Sequence, residues 1–202
     1  MVLKTRDRLI EVARQLFARK GIENTTMNDI ASASDKGRRT IYTYFRNKRD
    51  IFNAVIERET GKLLVKLEEI QERPISPEEK LRQYIDCRFD TMREIVSRNG
   101  SLKAGFFRDV RKVDRARRIV SSREIEILGR ILSEGVKKGV FDITDVQQTA
   151  AILVHAVHGL DVPYIRDNLA DQGFDKSMVK EIVNKIVTDG LRTRRNCQKQ
   201  PN

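Results

Sequence analysis

The side chains of this 202-residue chain whose types and spacing could do chemistry fall in its middle, its first quarter and its last third. His155 and His158, with Asp161 three residues further on, share one face of a helix, and two histidines so placed can ligate a metal. No recognisable motif supplies a third ligand. The pair sits inside an apolar stripe, where packing or a contact between subunits accounts for it better. There is no Gly-x-Gly-x-x-Gly, P-loop or Gly-x-Ser-x-Gly, and Cys87 reads as a small core residue. The expectation is no enzyme and no cofactor, with a helical metal-dependent enzyme using His155 and His158 as the lesser alternative.

A second group lies between Thr26 and Lys48. If Ile41 and Phe45, one helical turn apart, face inward, then Arg38, Arg39, Thr40, Thr43 and Tyr44 are left on or near the outer side. Arginine can donate two hydrogen bonds to guanine and threonine can meet a thymine methyl. Arg38, Arg39, Thr40 and Thr43 are therefore expected at base edges of double-stranded DNA. Thr26, Tyr42, Tyr44 and Lys48 suit phosphate oxygens, which position a protein without reading sequence; Tyr42 could equally be half core. A third group, Tyr84, Phe89, Met92, Phe106, Phe107 and Tyr164, could wall an effector pocket between helices, though a plain hydrophobic core explains most of them as well.

Charge agrees with the second group. Residues 1–50 hold 12 Lys and Arg against 6 Asp and Glu, residues 51–191 hold 24 against 23, and the last eleven hold 4 against none. A basic first quarter on a near-neutral body suits a polyanion-binding head. An architectural DNA binder without effector, the main alternative, would favour basic character throughout. The longest uncharged stretch, Val146 to Leu160, is shorter than the roughly 18 apolar residues of a membrane span. With two distant cysteines and a charged start, the reading is a reduced, cytoplasmic protein with no membrane partner.

The elements that position these residues read as helices throughout, about nine in an all-α fold. Leu9, Ile10, Val12, Ala13, Leu16 and Phe17 make one face of a helix ending at Gly21. Thr26 with Asp29 caps a short helix and Asn47 with Asp50 opens a longer one over about 48–72. Ser76, Pro77 and Glu79 start another that runs to about Arg98, where Asn99-Gly100 stops it. A short helix near 102–110 precedes a long one ended by Gly139. Thr144 with Gln147 is expected to box a helix of about 20 residues carrying Ala150, Leu153, Val154, Val157 and Leu160. A last helix after Asp175 turns Met178, Ile182, Val183, Ile186, Val187 and Leu191 inward.

Helix, turn and helix from Thr26 to Phe45 have the spacing of a helix-turn-helix, whose second helix can enter a major groove about 12 Å wide. Ala13-Arg14-Gln15-Leu16-Phe17, Gly21, Thr25-Thr26-Met27-Asn28-Asp29-Ile30-Ala31 and Thr40-Ile41-Tyr42-Thr43-Tyr44-Phe45-Arg46-Asn47-Lys48 resemble the tetracycline-repressor (TetR) family over about residues 5–55. The resemblance implies a homodimeric helical regulator, a repressor released from a palindromic operator by a small-molecule effector that the sequence does not identify. It implies a DNA-binding head over 1–46, a connecting helix over 47–72, an effector and dimerisation domain over 73–193 and a frayed basic tail over 194–202. Dimerisation by the last two long helices would use Val154, Val157, His158, Ile182, Val183, Ile186 and Val187. The chain departs from the family in the turn, where Asp35, Lys36 and Gly37 stand for glycine, valine and serine. Arg39 and Tyr44 replace the usual glycine and histidine of the recognition helix, so base preference does not transfer.

Overall fold

A computed structural model of the chain describes residues 2–98, 110–166 and 170–193. Its helices are α1 (Val2–Lys20), α2 (Met27–Ala33), α3 (Arg38–Tyr44), α4 (Lys48–Glu72), α5 (Pro77–Arg98), α6 (Val110–Lys137), α7 (Val146–Gly159), α8 (Asp161–Arg166) and α9 (Lys176–Leu191), with a 3-10 turn over Ala170–Gln172. Among the described residues there is no strand, only an isolated antiparallel bridge between Phe141 and Arg192, so the all-α expectation holds. The expected helix near 102–110 and the basic tail lie outside the described residues, apart from Val110 itself. The chain divides into two compact units, Met1–Val65 with Asp90–Val120 and Lys66–Phe89 with Ser121–Asn202.

In the first unit, α1 buries Leu9, Ile10, Ala13, Leu16 and Phe17. Gly21 ends the helix in the left-handed region at φ +84°, its N–H bonding the Phe17 carbonyl at 3.0 Å. Thr26 caps α2 reciprocally: its hydroxyl accepts from the Asp29 N–H at 3.1 Å and its own N–H donates to the Asp29 carboxylate at 2.9 Å. Two orphan amides are satisfied by one residue pair. At the far end of α2, Asp35 takes φ +53°. Its N–H bonds Ser32 O at 3.2 Å, and that of Lys36 bonds Ala31 O at 3.0 Å. This is a Schellman stop in which an aspartate fills the place glycine normally takes. Asp is one of the few side chains that tolerate it. Ile30, Ala31, Ile41, Phe45, Ile51, Phe52 and Val55 complete the apolar interior, with Phe17 and Phe52 edge to face at 6.1 Å. Asn47 caps α4 through the Asp50 N–H at 3.0 Å.

In the second unit, Ser76 caps α5 through the Glu79 N–H at 3.2 Å. The Glu79 carboxylate turns to Gln83 and Arg82 instead of closing the box. Gly139, at φ +68°, follows α6 as expected. Phe141 folds its ring onto Gly135, where an added Cβ would stand 2.0 Å from Cδ2.

The second unit departs from the sequence expectations at three places. The cap of α7 is Asp145, which accepts from the Gln148 N–H at 2.9 Å; its carboxylate sits one residue nearer the first turn than the Thr144 hydroxyl. The expected helix of about 20 residues is 14 residues long and breaks at Leu160 before α8. Pro163 has no N–H for the Gly159 carbonyl, and its ring crowds that carbonyl, which ends the continuous helix there. On α9, Met178, Ile182 and Ile186 face outward and Val179 is buried instead.

Candidate nucleic-acid interface

Helix α3 is fixed from beneath. Ile41 and Phe45 are buried, which commits the opposite side to solvent because residues three to four apart share a face. Arg38, Arg39, Tyr42 and Thr43 are exposed there, while Thr40 and Tyr44 are half-buried at its edges. Tyr42, at 44% exposure, is not a core residue. The Arg38 guanidinium stands over its ring at 5.9 Å, and the Thr43 hydroxyl donates back to Arg39 O at 3.1 Å. Gly37 caps α3 without a side-chain bond.

Two cations of α1 brace the two ends of α3. Arg6 of α1 stacks on the Phe45 ring at 5.5 Å, and Arg8 pairs with Asp35 at 2.7 Å. Lys48, expected at a phosphate, donates to Ile22 O at 2.6 Å and Glu23 O at 3.2 Å. It ties the loop before α2 to the start of α4 and keeps one of its three N–H groups. Thr26 is exposed at the head of α2.

The second unit holds what sequence reading missed. Arg88 of α5 is buried, with Nη1 and Nη2 on the two oxygens of Asp161 at 2.7 and 2.9 Å and Nε on Glu124 of α6 at 2.9 Å. Tyr84 OH donates to Glu124 at 3.4 Å, and Nε2 of His158 lies 3.2 Å from both Glu124 oxygens. Burial pushes the Glu124 carboxyl up, but Arg88 and His158 more than offset it and hold it below the usual carboxylate range. Burial and the neighbouring Glu124 charge push the Tyr84 hydroxyl well up. The available signal was a charge inside an apolar stripe: Arg88 lies one turn from both Tyr84 and Met92, and Glu124 one turn from Val120 and Leu128.

This cluster revises the other candidate sites. His155 and His158 are ring to ring at 6.0 Å, but His158 faces Glu124 and Asp161 is taken by Arg88. Of the expected pocket residues, Tyr84, Phe89 and Tyr164 are buried in the second unit and Met92 in the first. Phe89 and Tyr164 stack at 4.7 Å, and Phe106 and Phe107 lie outside the described residues. Elsewhere in the second unit a cleft of about 540 Å³ opens between Glu78, Lys138, Gly139, Val140, Arg192 and Thr193. Val154 and Val157, expected at a subunit contact, are buried in the chain's own core because they share the stripe of Ala150. The exposed residues include Ile152 and His155 on α7 and Met178, Ile182 and Ile186 on α9, with His158, Val183 and Val187 half-buried.

Comparison with known proteins identifies the fold. A protein of Escherichia coli (strain K12) named "Probable acrEF/envCD operon repressor" is 51% identical over 51 residues, which is 25% of this chain and 23% of that one. The matched segment thus spans about a quarter of that relative. The "Uncharacterized HTH-type transcriptional regulator YfiR" of Bacillus subtilis (strain 168) is 26% identical over 152 residues, 74% of this chain and 73% of the other. A transcriptional regulator from Cytophaga hutchinsonii superposes with a TM-score of 0.71 at 26% identity, over 92% of this chain and 97% of that one. Residues 9–55 match "Bacterial regulatory proteins, tetR family" and residues 77–183 match "Tetracyclin repressor-like, C-terminal domain". With its recognition-helix scaffold and more than half its length in the second match, the chain belongs to the tetracycline-repressor (TetR) family.

Proposed function

We propose that the chain is a sequence-specific DNA-binding transcriptional regulator, a cytoplasmic repressor that leaves a palindromic operator when a small molecule binds its helical body. The observation that carries this is the outward face of α3, where Arg38, Arg39, Tyr42 and Thr43 stand on a helix whose other side is locked into an apolar core. Arg38, Arg39, Thr40 and Thr43 meet base edges. Thr26, Tyr42, Tyr44 and the remaining N–H of Lys48 hold phosphates. The head of residues 1–46 does the reading, the helix over 47–72 connects, and residues 73–193 bind effector and partner copy. No enzymatic role is proposed, since His158 and Asp161 serve the buried cluster.

A second copy covers the outward residues of α7 and α9. Met178, Ile182 and Ile186 repeat every four residues, an apolar line that a monomer would leave in water. Two-fold symmetry of the protein then appears as symmetry of the half-sites. Selection of bound duplexes from a random pool tests the reading. The expected result is one enriched palindrome whose affinity falls with salt; a pool with no enriched sequence overturns it.

A further inference from the structure

Two consecutive residues of α4 hold two different helices. Arg58 reaches α1: Nη1 donates to the Asp7 carbonyl at 3.3 Å and Nη2 lies 3.3 Å from Glu11 Oε2. Glu11 is itself gripped by Arg14 at 2.6 Å, which holds its carboxyl below the usual range. Glu59, only 2% exposed, accepts from Arg98 in the last turn of α5 at 2.8 Å and from Lys62 at 2.8 Å. All seven residues belong to the first unit.

Burial and sequence adjacency together give these contacts a consequence. A buried carboxylate has lost its hydration, so it follows its cations; Lys62 moves with α4 itself, whereas Arg98 ties Glu59 to α5. Arg58 and Glu59 share one peptide unit of a continuous helix. A shift of the last turn of α5 that drags Glu59 therefore drags Arg58 and its hold on α1. We propose that the Arg98–Glu59 pair is the joint through which the position of the last turn of α5 is delivered to the DNA-binding head, with Arg58 and Glu11 as the next link. The four are positioning residues, and the proposal rests on the DNA-binding reading above.

The test uses the full chain, a duplex from the selection and hydrogen exchange of the free protein. Arg98→Gln should raise the Kd for that duplex about 5-fold or more at fixed salt, and should speed exchange of amides in α1 to α3. Arg98→Lys should restore most of both. Arg58→Ala should add little on top of Arg98→Gln, because a broken chain is not broken twice, whereas independent contacts would add. Arg58→Ala alone should loosen the last turn of α5, a readout that survives if Arg98→Gln does not fold. Wild-type affinity and head exchange in Arg98→Gln, or additive losses in the double variant, overturn the joint. A wild-type chain that enriches no duplex overturns the DNA-binding reading instead, while the exchange measurements still judge the joint.

Discussion

The DNA-binding head and the helical unit around Arg88 treat charge in opposite ways. Between Leu9 and Phe45 the interior is almost wholly apolar, and the arginines of α3, Arg38 and Arg39, stand outside with water around them. Around Arg88 a guanidinium and two carboxylates from three helices lie inside the core, each carboxylate 2.7 to 2.9 Å from the guanidinium. A solvated charge costs the fold little and is free to meet a phosphate or a base. A buried one is committed to its partner, and the fold depends on that partner staying. The outer face of α3 thus leaves Arg38 and Arg39 in solvent, while the second unit uses Arg88 to hold α5, α6 and the start of α8 together.

The sharpest way to break this contrast is Arg88→Ala. It leaves Glu124 and Asp161 buried without their counter-charge, which should cost about 3–5 kcal/mol, a large share of a total of about 5–15. Urea unfolding followed by circular dichroism measures it. Replacing all three residues together with Met and Leu should recover most of the loss. A stable Arg88→Ala chain would mean that the cluster does not hold the unit.

The head gives the converse result. Arg38→Ala with Arg39→Ala should leave unfolding within about 0.5 kcal/mol, since neither side chain is buried. It should cost about 1–3 kcal/mol of base discrimination at each base pair an arginine reads. Competition between the selected duplex and single-base variants at fixed salt reads this out. Unchanged sequence preference in the double variant would remove both arginines from the base-reading set.

The same contrast explains what the sequence made legible. The head could be read because its signals are local: Thr26 and Asp29 are three residues apart, Ile41 and Phe45 four, and exposure follows from helical period alone. Arg88 finds its partners 36 and 73 residues away, and no spacing rule announces such a pairing. The misread faces of α7 and α9 have a related cause. Both helices carry apolar residues around more than half their circumference, so periodicity marks them as helices without deciding which stripe faces inward. Val154 and Val157 went to the chain's own core, and Ile152 and Ile186 were left outside.

Acid sharpens the comparison further. The Glu124 carboxyl is held below its ordinary value in the folded chain. Its contribution is therefore complete above the unfolded carboxylate value, about 4.3, and is lost as pH falls through the folded value. Stability measured by urea at stepwise lower pH should fall less steeply in Glu124→Gln than in the wild type. Asp29 of the head is also lowered, chiefly by the Thr26 N–H, so some acid sensitivity should persist in the variant. Identical slopes in the two proteins would show that Glu124 keeps no special hold on its charge.

The smallest effect is expected at the turn between α2 and α3. Asp35 sits at φ +53° with its carboxylate on Arg8, and both side chains are largely exposed. Asp35→Gly removes a left-handed strain that L-residues resist, but it also loosens the unfolded chain by about 0.4–1 kcal/mol and gives up an exposed ion pair worth about 0–1. These terms oppose one another, so the melting temperature should move little. DNA binding should move more, because the substitution deletes a negative charge beside α3 and releases Arg8 toward the phosphates. Affinity should rise for all duplexes alike, and most at low salt, as expected of a backbone contact. Arg8→Ala in the Asp35→Gly background should cancel the gain. A gain confined to one sequence would instead make Asp35 a base-reading residue.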